Sequence, residues 1–439
     1  MATVKLPDLP KGKEFEEYIA AFLQEQGYYI ERNIVDSQEE DILELDIISS
    51  EYGDKIPESK LFEVKSGSWG FGDIFKIRGW LDYLNMESGC LIVLEEDTGL
   101  DFFKKIAISL NLEVVAIYSL ENAGECLKSY IASDKIHPLD ITIWRFSYWT
   151  ERKLIQLLKK KKKSEKGRKC YQVLDRYFSL INNRTFFTRN VIEQAERLYA
   201  TFREFPNISA KLGHELVGEI FDKEYDAVPN EIYTEAYYQG KLNDLSISTF
   251  VEYRARLAIM KSAIDYTMFK RSGSGKYDET FVLKFGNRKI EYNLLDLLPQ
   301  SFKEGLNDLS SHPFFHRYPV FWQWFLWVFG GFILNDYKDR DYELLSDRTG
   351  IPLSEIPHAI DSYQILFPRD GGWFIEPSNV NIKMLKLFPV PFLGIGANYR
   401  RLQYSSNHKW AGLQLTGSHT HDDLLKWNNV VVELLIKNL

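Results

Sequence analysis

The sequence predicts an N-terminal α/β domain, with a mixed sheet flanked by helices, followed by a larger and mainly helical C-terminal region. Short apolar or alternating runs are interleaved with helical patterns over roughly the first 120 residues, which is typical of a compact α/β fold. Beyond Cys170 helical spacing dominates. The 439 residues also exceed one typical domain. We therefore predict a first domain at 1–120, a connecting segment at 121–170 and a second domain at 171–439.

The composition is that of a globular protein, with 45% hydrophobic and 26% charged residues. A net charge of -8 excludes a uniformly basic coat for nucleic acid but permits a local basic groove. The aromatic share of 15% fits core packing in helical domains as well as stacking on bases.

The cysteines Cys90, Cys126 and Cys170 form neither a zinc spacing nor a disulfide framework, so we expect a reducing cytoplasm. The first residues contain no apolar segment, and we expect no secretory signal. The Trp-rich run from Val320 to Leu334 is shorter than the ~20 residues of a membrane span, which predicts a buried helix and no membrane partner.

The predicted elements of the first domain follow the order α-β-β-β-α-β-α-β. In chain order they are a helix at 12–27, strands at 28–35, 42–49 and 60–66, a helix at 73–85 with Asp73 as its N-cap, a strand at 90–94, a helix at 101–110 and a strand at 112–118. The run at 90–94 is continuously apolar, which predicts a strand buried on both faces.

Two of these strands carry a cluster of charged residues. Because side chains alternate along a strand, Glu63 and Lys65 project to one side while Phe62 and Val64 project into apolar packing. Asp46 on the preceding strand also points away from the apolar face. If the two strands pair as a half-buried hairpin, two carboxylates and one ammonium group meet on its polar side, which suits hydrolysis of a phosphodiester at a divalent cation.

The first helix carries a further acidic candidate. Glu16 shares a helical face with Ile19, Ala20 and Leu23, whereas Glu17 is rotated away. Glu16 therefore lies at the edge of the buried stripe, where it can act at a site or extend to water.

Three short motifs together carry a resemblance: Gly12-Lys13-Glu14-Phe15-Glu16, Leu45-Asp46-Ile47-Ile48 and Phe62-Glu63-Val64-Lys65. In these motifs the first domain resembles the restriction-endonuclease-like, or PD-(D/E)XK, nuclease superfamily, and within it the Mrr-like and archaeal Holliday-junction-resolvase-like branch. The proline that often precedes the aspartate is absent, as is the glutamine that some relatives carry in place of Glu63.

The resemblance implies a metal-dependent endonuclease. Asp46 and Glu63 would hold Mg²⁺ or Mn²⁺, Glu16 would complete the metal shell or orient the attacking water, and Lys65 would position or polarise that water. Glu44 is a further possible ligand or a solvent-exposed residue. A purely structural salt bridge between Glu63 and Lys65 is the alternative.

A nuclease in an acidic chain needs positive charge somewhere to contact nucleic acid, and two basic regions are candidates. Residues 151–169 form a basic segment that can be either a phosphate-contacting strap or a solvated linker. The helix after the catalytic strand offers basic residues that either hold the scissile strand or lie on a solvated face. The candidate residues are Lys76, Arg78, Lys159, Lys160 and Lys161.

The rest of the chain carries weaker signals. We predict a strand at 141–148, helices at 171–181, 190–202, 215–221 and 247–269, and a hairpin of strands 279–285 and 288–292. His419 to Asp423 is either a second metal candidate or a polar loop.

A helix-turn-helix-like pattern follows, which predicts a winged-helix element. Its helices are predicted at 342–348 and from Ser354 as N-cap to 365, with a wing tip at 369–373. Glu355 and Asp361 on the second helix disfavour contact with phosphates, which leaves a packing or protein-contact role beside DNA reading.

Taken together, the sequence predicts a nuclease with DNA as the favoured substrate, and by analogy the effector of a bacterial restriction or anti-phage defence system. A DNA repair or junction-resolving nuclease is one alternative, and a non-catalytic nucleic-acid-binding or assembly subunit is another. We expect a homodimer or a subunit of a larger complex, with a protein partner or activator at the C-terminal region.

Overall fold

The computed structural model describes residues 6–37, 41–132, 135–164, 242–272, 280–293, 299–368, 372–376, 382–385, 409–410 and 413–414. Leu6–Trp149 form one compact unit, and the described residues from Thr150 onward belong to a second. The first unit thus extends beyond the domain boundary predicted at residue 120.

The elements of the first unit follow the predicted order as far as the fifth strand. They are α1 (Lys13–Glu25), β1 (Tyr29–Ser37), β2 (Asp41–Glu51), β3 (Glu58–Lys65), α2 (Phe71–Leu84), β4 (Gly89–Val93), α3 (Asp101–Ser109), β5 (Leu112–Ala116), α4 (Ala123–Cys126) and α5 (Pro138–Ser164), the last of which contains the unit boundary. The described strands form a sheet in the order β1-β2-β3-β4-β5. β1, β2 and β3 pair antiparallel, and β3, β4 and β5 pair parallel, so the predicted mixed sheet with flanking helices is confirmed.

The sheet is buried more deeply than a half-buried hairpin. Leu61 of β3 packs in a core with Ile77 and Leu81 of α2, while Phe62 on the opposite face is also fully buried. β4 is buried along its whole length, as its apolar sequence predicts. Glu63 of β3 therefore lies within a covered sheet and not on a free polar surface.

Two local predictions in this unit are wrong. Residues 141–148 are helical and belong to α5, where Thr142 Oγ1 donates to the carbonyl of Pro138 at 2.9 Å. Its apolar residues alternate with Thr142, Arg145 and Ser147 in a way that resembles a strand, but the helix buries nearly every side of this run, polar residues included. Asp73 is not the N-cap of α2. The N-cap is Gly70. Asp73 lies in the first turn of the helix, where its carboxylate accepts a hydrogen bond from the Gly70 N–H at 2.9 Å.

The described elements of the second unit after α5 are mostly helical. They are α6 (Leu242–Arg271), β6 (Thr280–Phe285), β7 (Arg288–Asn293), α7 (Gln300–Ser311), α8 (Tyr318–Trp327), β8 (Phe332–Leu334), α9 (Lys338–Thr349), α10 (Ile356–Leu366), β9 (Phe374–Ile375), β10 (Ile382–Leu385), β11 (Lys409–Trp410) and β12 (Leu413–Gln414). β6 and β7 pair antiparallel as the predicted hairpin. α8 is buried, with Trp322 Nε1 donating to Ser362 Oγ of α10 at 2.8 Å.

Some predictions for the second unit need correction or lie outside the described residues. Ser354 does not cap a helix. It lies in a 3₁₀ turn, and α10 begins at Ile356 with Pro357 in its first turn. The Trp-rich segment is divided between α8 and β8 because Gly330 and Gly331 adopt positive φ angles.

The helices predicted at 171–181, 190–202 and 215–221, the start of the wing tip and His419 to Asp423 lie outside the described residues. None of the helices within the described ranges has the length and apolar character needed to cross a membrane.

Candidate active site

The central strands β2 and β3 diverge at the predicted site. Their antiparallel pairing ends at Ile47 and Phe62, so Asp46 and Glu63 are not hydrogen-bonded as a ladder pair. β2 nevertheless remains paired with β1 beyond Asp46, and β3 remains paired with β4 as far as Lys65. We call this divergence the fork and define it by Asp46, Glu63 and Val64.

Asp46 bridges the fork with its side chain. Its Oδ2 accepts the backbone N–H of Val64 at 3.0 Å, which replaces the hydrogen bond that continued pairing would have supplied. The residue is only 8% exposed. Asp46 is therefore held in one orientation by the fold, with Oδ1 facing Lys13 Nζ at 3.8 Å.

Glu63 is buried beside two ammonium groups. Its Oε1 accepts one hydrogen bond from Lys65 Nζ at 2.6 Å and another from Lys76 Nζ at 3.4 Å. The residue is 2% exposed, and its Oε2 is buried with no hydrogen-bond partner. An unpaired buried carboxylate oxygen is costly, so this atom indicates a position where a cation would be favoured.

α1 supplies Glu16 to the same cluster. Lys13 Nζ lies 3.0 Å from Glu16 Oε2, which links this carboxylate to Asp46 through one ammonium group. Glu17, by contrast, faces Arg32 at 3.7 Å inside the unit. The structure thus brings Glu16, and not Glu17, to the fork. It buries both side chains, however, whereas helical spacing placed only Glu16 beside the buried stripe.

The position of α1 is set by a contact at its start. The backbone N–H of Gly12 donates to Ser66 Oγ at 2.6 Å, which joins the N-terminus of α1 to the end of β3. Gly12 has a φ of 55°, a conformation that favours glycine. This contact brings the first turn of α1, with Lys13 and Glu16, next to the fork.

Asp46 affects the ionisation of the other two carboxylates. Burial, followed by the charge of Asp46, raises the pKa of Glu16 to about 7 even though Lys13 opposes the shift. Burial and then Asp46 also raise the pKa of Glu63, against Lys65 and Lys76. Carboxylates that resist ionisation beside one another gain stability from a cation that neutralises them together.

Lys65 is a positive charge at neutral pH. Burial lowers its pKa, but the hydrogen bond and the charge of Glu63 outweigh burial, and the net shift is upward. An ammonium group cannot accept a proton, so Lys65 can donate hydrogen bonds and polarise a bound group but cannot act as a general base.

The other basic candidates are placed differently. Lys76 lies at the site, since its Nζ contacts Glu63 and also lies 4.1 Å from the ring centroid of Trp80. Arg78 is directed away, with one guanidinium nitrogen donating to the Leu110 carbonyl at 3.3 Å and another paired with Asp82. Arg78 therefore tethers α2 and is not brought to the carboxylates.

The basic run in α5 adds no described contact to the site. Lys159, Lys160 and Lys161 lie in α5, but their side chains are outside the described residues. Glu44, the additional ligand candidate, has a side chain that is 61% exposed and lies 3.6 Å from Lys13 Nζ.

Sequence reasoning missed Lys13 and Trp80. Lys13 contacts Glu16, Glu44 and Asp46, and Trp80 packs under Lys76. Trp80 lies four residues after Lys76 on the predicted helix, and that spacing could have identified it.

The residue types fit a hard divalent cation. The cluster offers only carboxylate oxygens, the ligands that Mg²⁺ and Mn²⁺ prefer, and Glu63 Oε2 is buried without a partner. Within the described part of the chain, however, no three His, Cys, Asp or Glu side chains already surround a point that could hold a metal ion. The ammonium groups of Lys13 and Lys65 lie against the carboxylates in this arrangement.

Comparisons of the chain with protein-family models, with curated proteins and with solved structures found no match. The case for a function therefore rests on the motifs and on the geometry of the fork.

Proposed function

We propose that this protein is a metal-dependent nuclease that hydrolyses phosphodiester bonds, with DNA as the favoured substrate and a restriction-endonuclease-like N-terminal unit. The observation that carries the proposal is the fork, where Asp46, Glu63 and Lys65 lie together in a mixed five-stranded sheet and α1 adds Glu16. A structural ion pair alone does not require a third buried carboxylate next to the first two.

In this proposal each residue has a separate task. Asp46 and Glu63 would hold Mg²⁺ or Mn²⁺, and Glu16 would complete the set or orient the attacking water. The bound ion would supply charge neutralisation and a lowered pKa of water. Lys65, held by Glu63 at 2.6 Å, would donate to the attacking water or to the phosphate oxygen. Lys76, with 46% of its side chain exposed, would contact the phosphate backbone.

The second unit supports a further proposal about organisation. α8, β8, α9, α10, β9 and β10 follow one another as helix, strand, two helices and two strands, and the strands form a sheet in the order β8-β10-β9. This order is that of a winged helix. Most residues of α10 are buried, and its Asp361 is paired with Lys383 at 3.2 Å. Contact with a protein partner or activator is therefore favoured over DNA reading.

Effector function in restriction or anti-phage defence fits a nuclease unit joined to a separate recognition unit, by analogy of architecture only. A repair or junction-resolving nuclease would use the same residues. It would be distinguished by a symmetric homodimer that prefers branched over linear DNA.

A non-catalytic subunit is the second candidate, and one observation favours it. Both Lys65 and Lys76 already neutralise Glu63 Oε1, which is compatible with a purely structural cluster. A structural cluster predicts no metal binding, whereas the nuclease proposal requires it.

The test is incubation of the purified full chain with supercoiled plasmid, single-stranded DNA and RNA, in Mg²⁺, Mn²⁺ or EDTA. We expect cleavage that EDTA abolishes and that Lys65→Ala reduces about 100-fold or more, while Lys105→Ala on the exposed side of α3 cleaves as the wild type does. Cleavage in EDTA, or by Lys65→Ala at the wild-type rate, would contradict the site. If turnover needs an activator, calorimetric titration with Mn²⁺ still separates the two proposals. The nuclease proposal requires binding of Mn²⁺, whereas a non-catalytic subunit with a structural cluster predicts none.

A further inference from the structure

One ammonium group contacts three carboxylates, one on α1 and two on β2. Lys13 Nζ lies 3.0 Å from Glu16 Oε2, 3.6 Å from Glu44 Oε1 and 3.8 Å from Asp46 Oδ1. Lys13 is the first residue of α1, and 42% of its side chain is exposed. It therefore reaches from the surface into the carboxylate cluster, with open solvent behind it.

Two of these three carboxylates, Glu16 and Asp46, are residues that the proposed function assigns to the metal. Glu16 and Asp46 are each less than one-tenth exposed, and the buried Glu63 Oε2 beside them has no hydrogen-bond partner. A divalent cation and an ammonium group seek the same lone pairs, and they repel each other at close range. Asp46 and Glu16 therefore cannot bind the divalent cation and the Lys13 ammonium group tightly at the same time.

We infer that Lys13 is a built-in competitor for the divalent cation. In the metal-free protein its ammonium group holds Glu16, Glu44 and Asp46 together and reduces their mutual repulsion. When the ion binds, the Lys13 side chain swings outward into solvent, a movement that its exposure permits. This inference rests on the proposed function, and it assigns to Lys13 control over how tightly the site binds metal.

The first experiment measures metal affinity by calorimetric titration of the full chain with Mn²⁺. Lys13→Met retains the aliphatic stem and removes the charge, and we expect it to bind Mn²⁺ roughly fivefold more tightly than the wild type. Lys11→Met is the matched control, because Lys11 is exposed and lies two residues upstream. We expect Lys11→Met to bind Mn²⁺ within about twofold of the wild-type affinity. This variant removes one positive charge but leaves the contacts of Lys13 with the carboxylates in place.

The second experiment reads the position of Lys13 directly. A brief pulse of an amine-acetylating reagent, followed by mass spectrometry, reports how free each lysine is. We expect Mg²⁺ to increase labelling of Lys13 and to leave labelling of Lys11 unchanged. In Asp46→Asn the increase at Lys13 should be lost, because this variant lacks a metal ligand.

The outcomes separate this inference from the proposed function. If wild type and Lys13→Met bind Mn²⁺ equally, or if Mg²⁺ does not change the labelling of Lys13, the competition is disproved while the nuclease proposal stands. If the wild type and both lysine variants bind no Mn²⁺, the metal-dependent function fails and the competition fails with it. Circular dichroism of each variant establishes that a change in affinity does not reflect unfolding.

Discussion

The carboxylate of Asp46 accepts the backbone N–H of Val64 at 3.0 Å, at the point where the pairing of β2 with β3 has ended. One residue thus both closes the fork and presents its second oxygen to the proposed site. The structural and the chemical roles of Asp46 can be separated by substitution, because an amide retains an acceptor oxygen but loses the negative charge.

We predict that Asp46→Asn folds and Asp46→Ala is destabilised. Asparagine can still accept the Val64 N–H, whereas alanine leaves this buried donor unpaired, at a cost of about 1–3 kcal/mol. Urea denaturation in EDTA measures the difference. Both variants should lose metal-dependent cleavage. Equal stability of the two would show that the hydrogen bond to Val64 does not hold the fork.

The basic residues near the fork should differ in their effect on cleavage. Lys65→Ala should lower the rate about 100-fold or more, and Lys76→Ala about tenfold, because Lys76 is more exposed and more distant from Glu63. Arg78→Ala should cleave at nearly the wild-type rate, since this guanidinium is bound to Asp82 and to the Leu110 carbonyl. Rate measurements on a plasmid substrate test this order. If Arg78→Ala lost more of the cleavage rate than Lys76→Ala, Arg78 and not Lys76 would be the residue that contacts the substrate.

Divalent metal should stabilise the folded protein. An ion that binds only the folded state raises the free energy of unfolding by about 2.7 kcal/mol when its concentration is 100 times the dissociation constant. We expect Mg²⁺ or Mn²⁺ to raise the melting temperature of the wild type and to have little effect on Glu63→Gln. Thermal melts with increasing metal, and with EDTA as reference, provide the measurement. A matching rise in Glu63→Gln would place the binding site elsewhere.

The second unit should lose stability in mild acid through His358. Burial and then the neighbouring His312 lower the pKa of His358 from 6.5, although Asp308, Glu355 and Asp361 oppose the shift. The folded state favours the neutral ring, so the stabilisation is present above about pH 6.5 and is lost as the pH falls below it.

Thermal melts at about pH 7.5 and about pH 5.5 test this prediction. His358→Gln should show a smaller drop in melting temperature between the two conditions than the wild type. The rings of His312 and His358 stack, and the Tyr318 hydroxyl contacts His358 Nδ1, so the melts should be compared with those of His312→Gln. An equal drop in wild type and His358→Gln would exclude His358 as the cause.

Strand alternation placed Glu63 and Lys65 on one face of β3, and helical spacing separated Glu16 from Glu17 on α1. These placements depend only on local periodicity, which the sequence displays directly. Joining these residues with Asp46 into a candidate site required the three motifs together and their resemblance to a nuclease superfamily.

The rest of the site depends on contacts between distant residues. Nothing in the local pattern distinguishes Lys13 from Lys11, because the role of Lys13 arises where α1 meets the fork. The fork itself depends on where the register of β2 against β3 stops, which no single strand reveals. The apolar run at 141–148 fits a strand or a buried helix by composition, and tertiary packing made it part of α5.

The hydrogen bond from Gly12 to Ser66 joins positions 54 residues apart, and the carboxylates of the fork all lie between them. Within this stretch the strands are antiparallel neighbours, and few residues separate each strand from the next, so pairing them costs little chain entropy. The crossover helices of the parallel half come later in the sequence. During synthesis, Glu16, Asp46, Glu63 and Lys65 therefore emerge before α2, so all four residues of the proposed site precede the helices that cover the parallel half of the sheet.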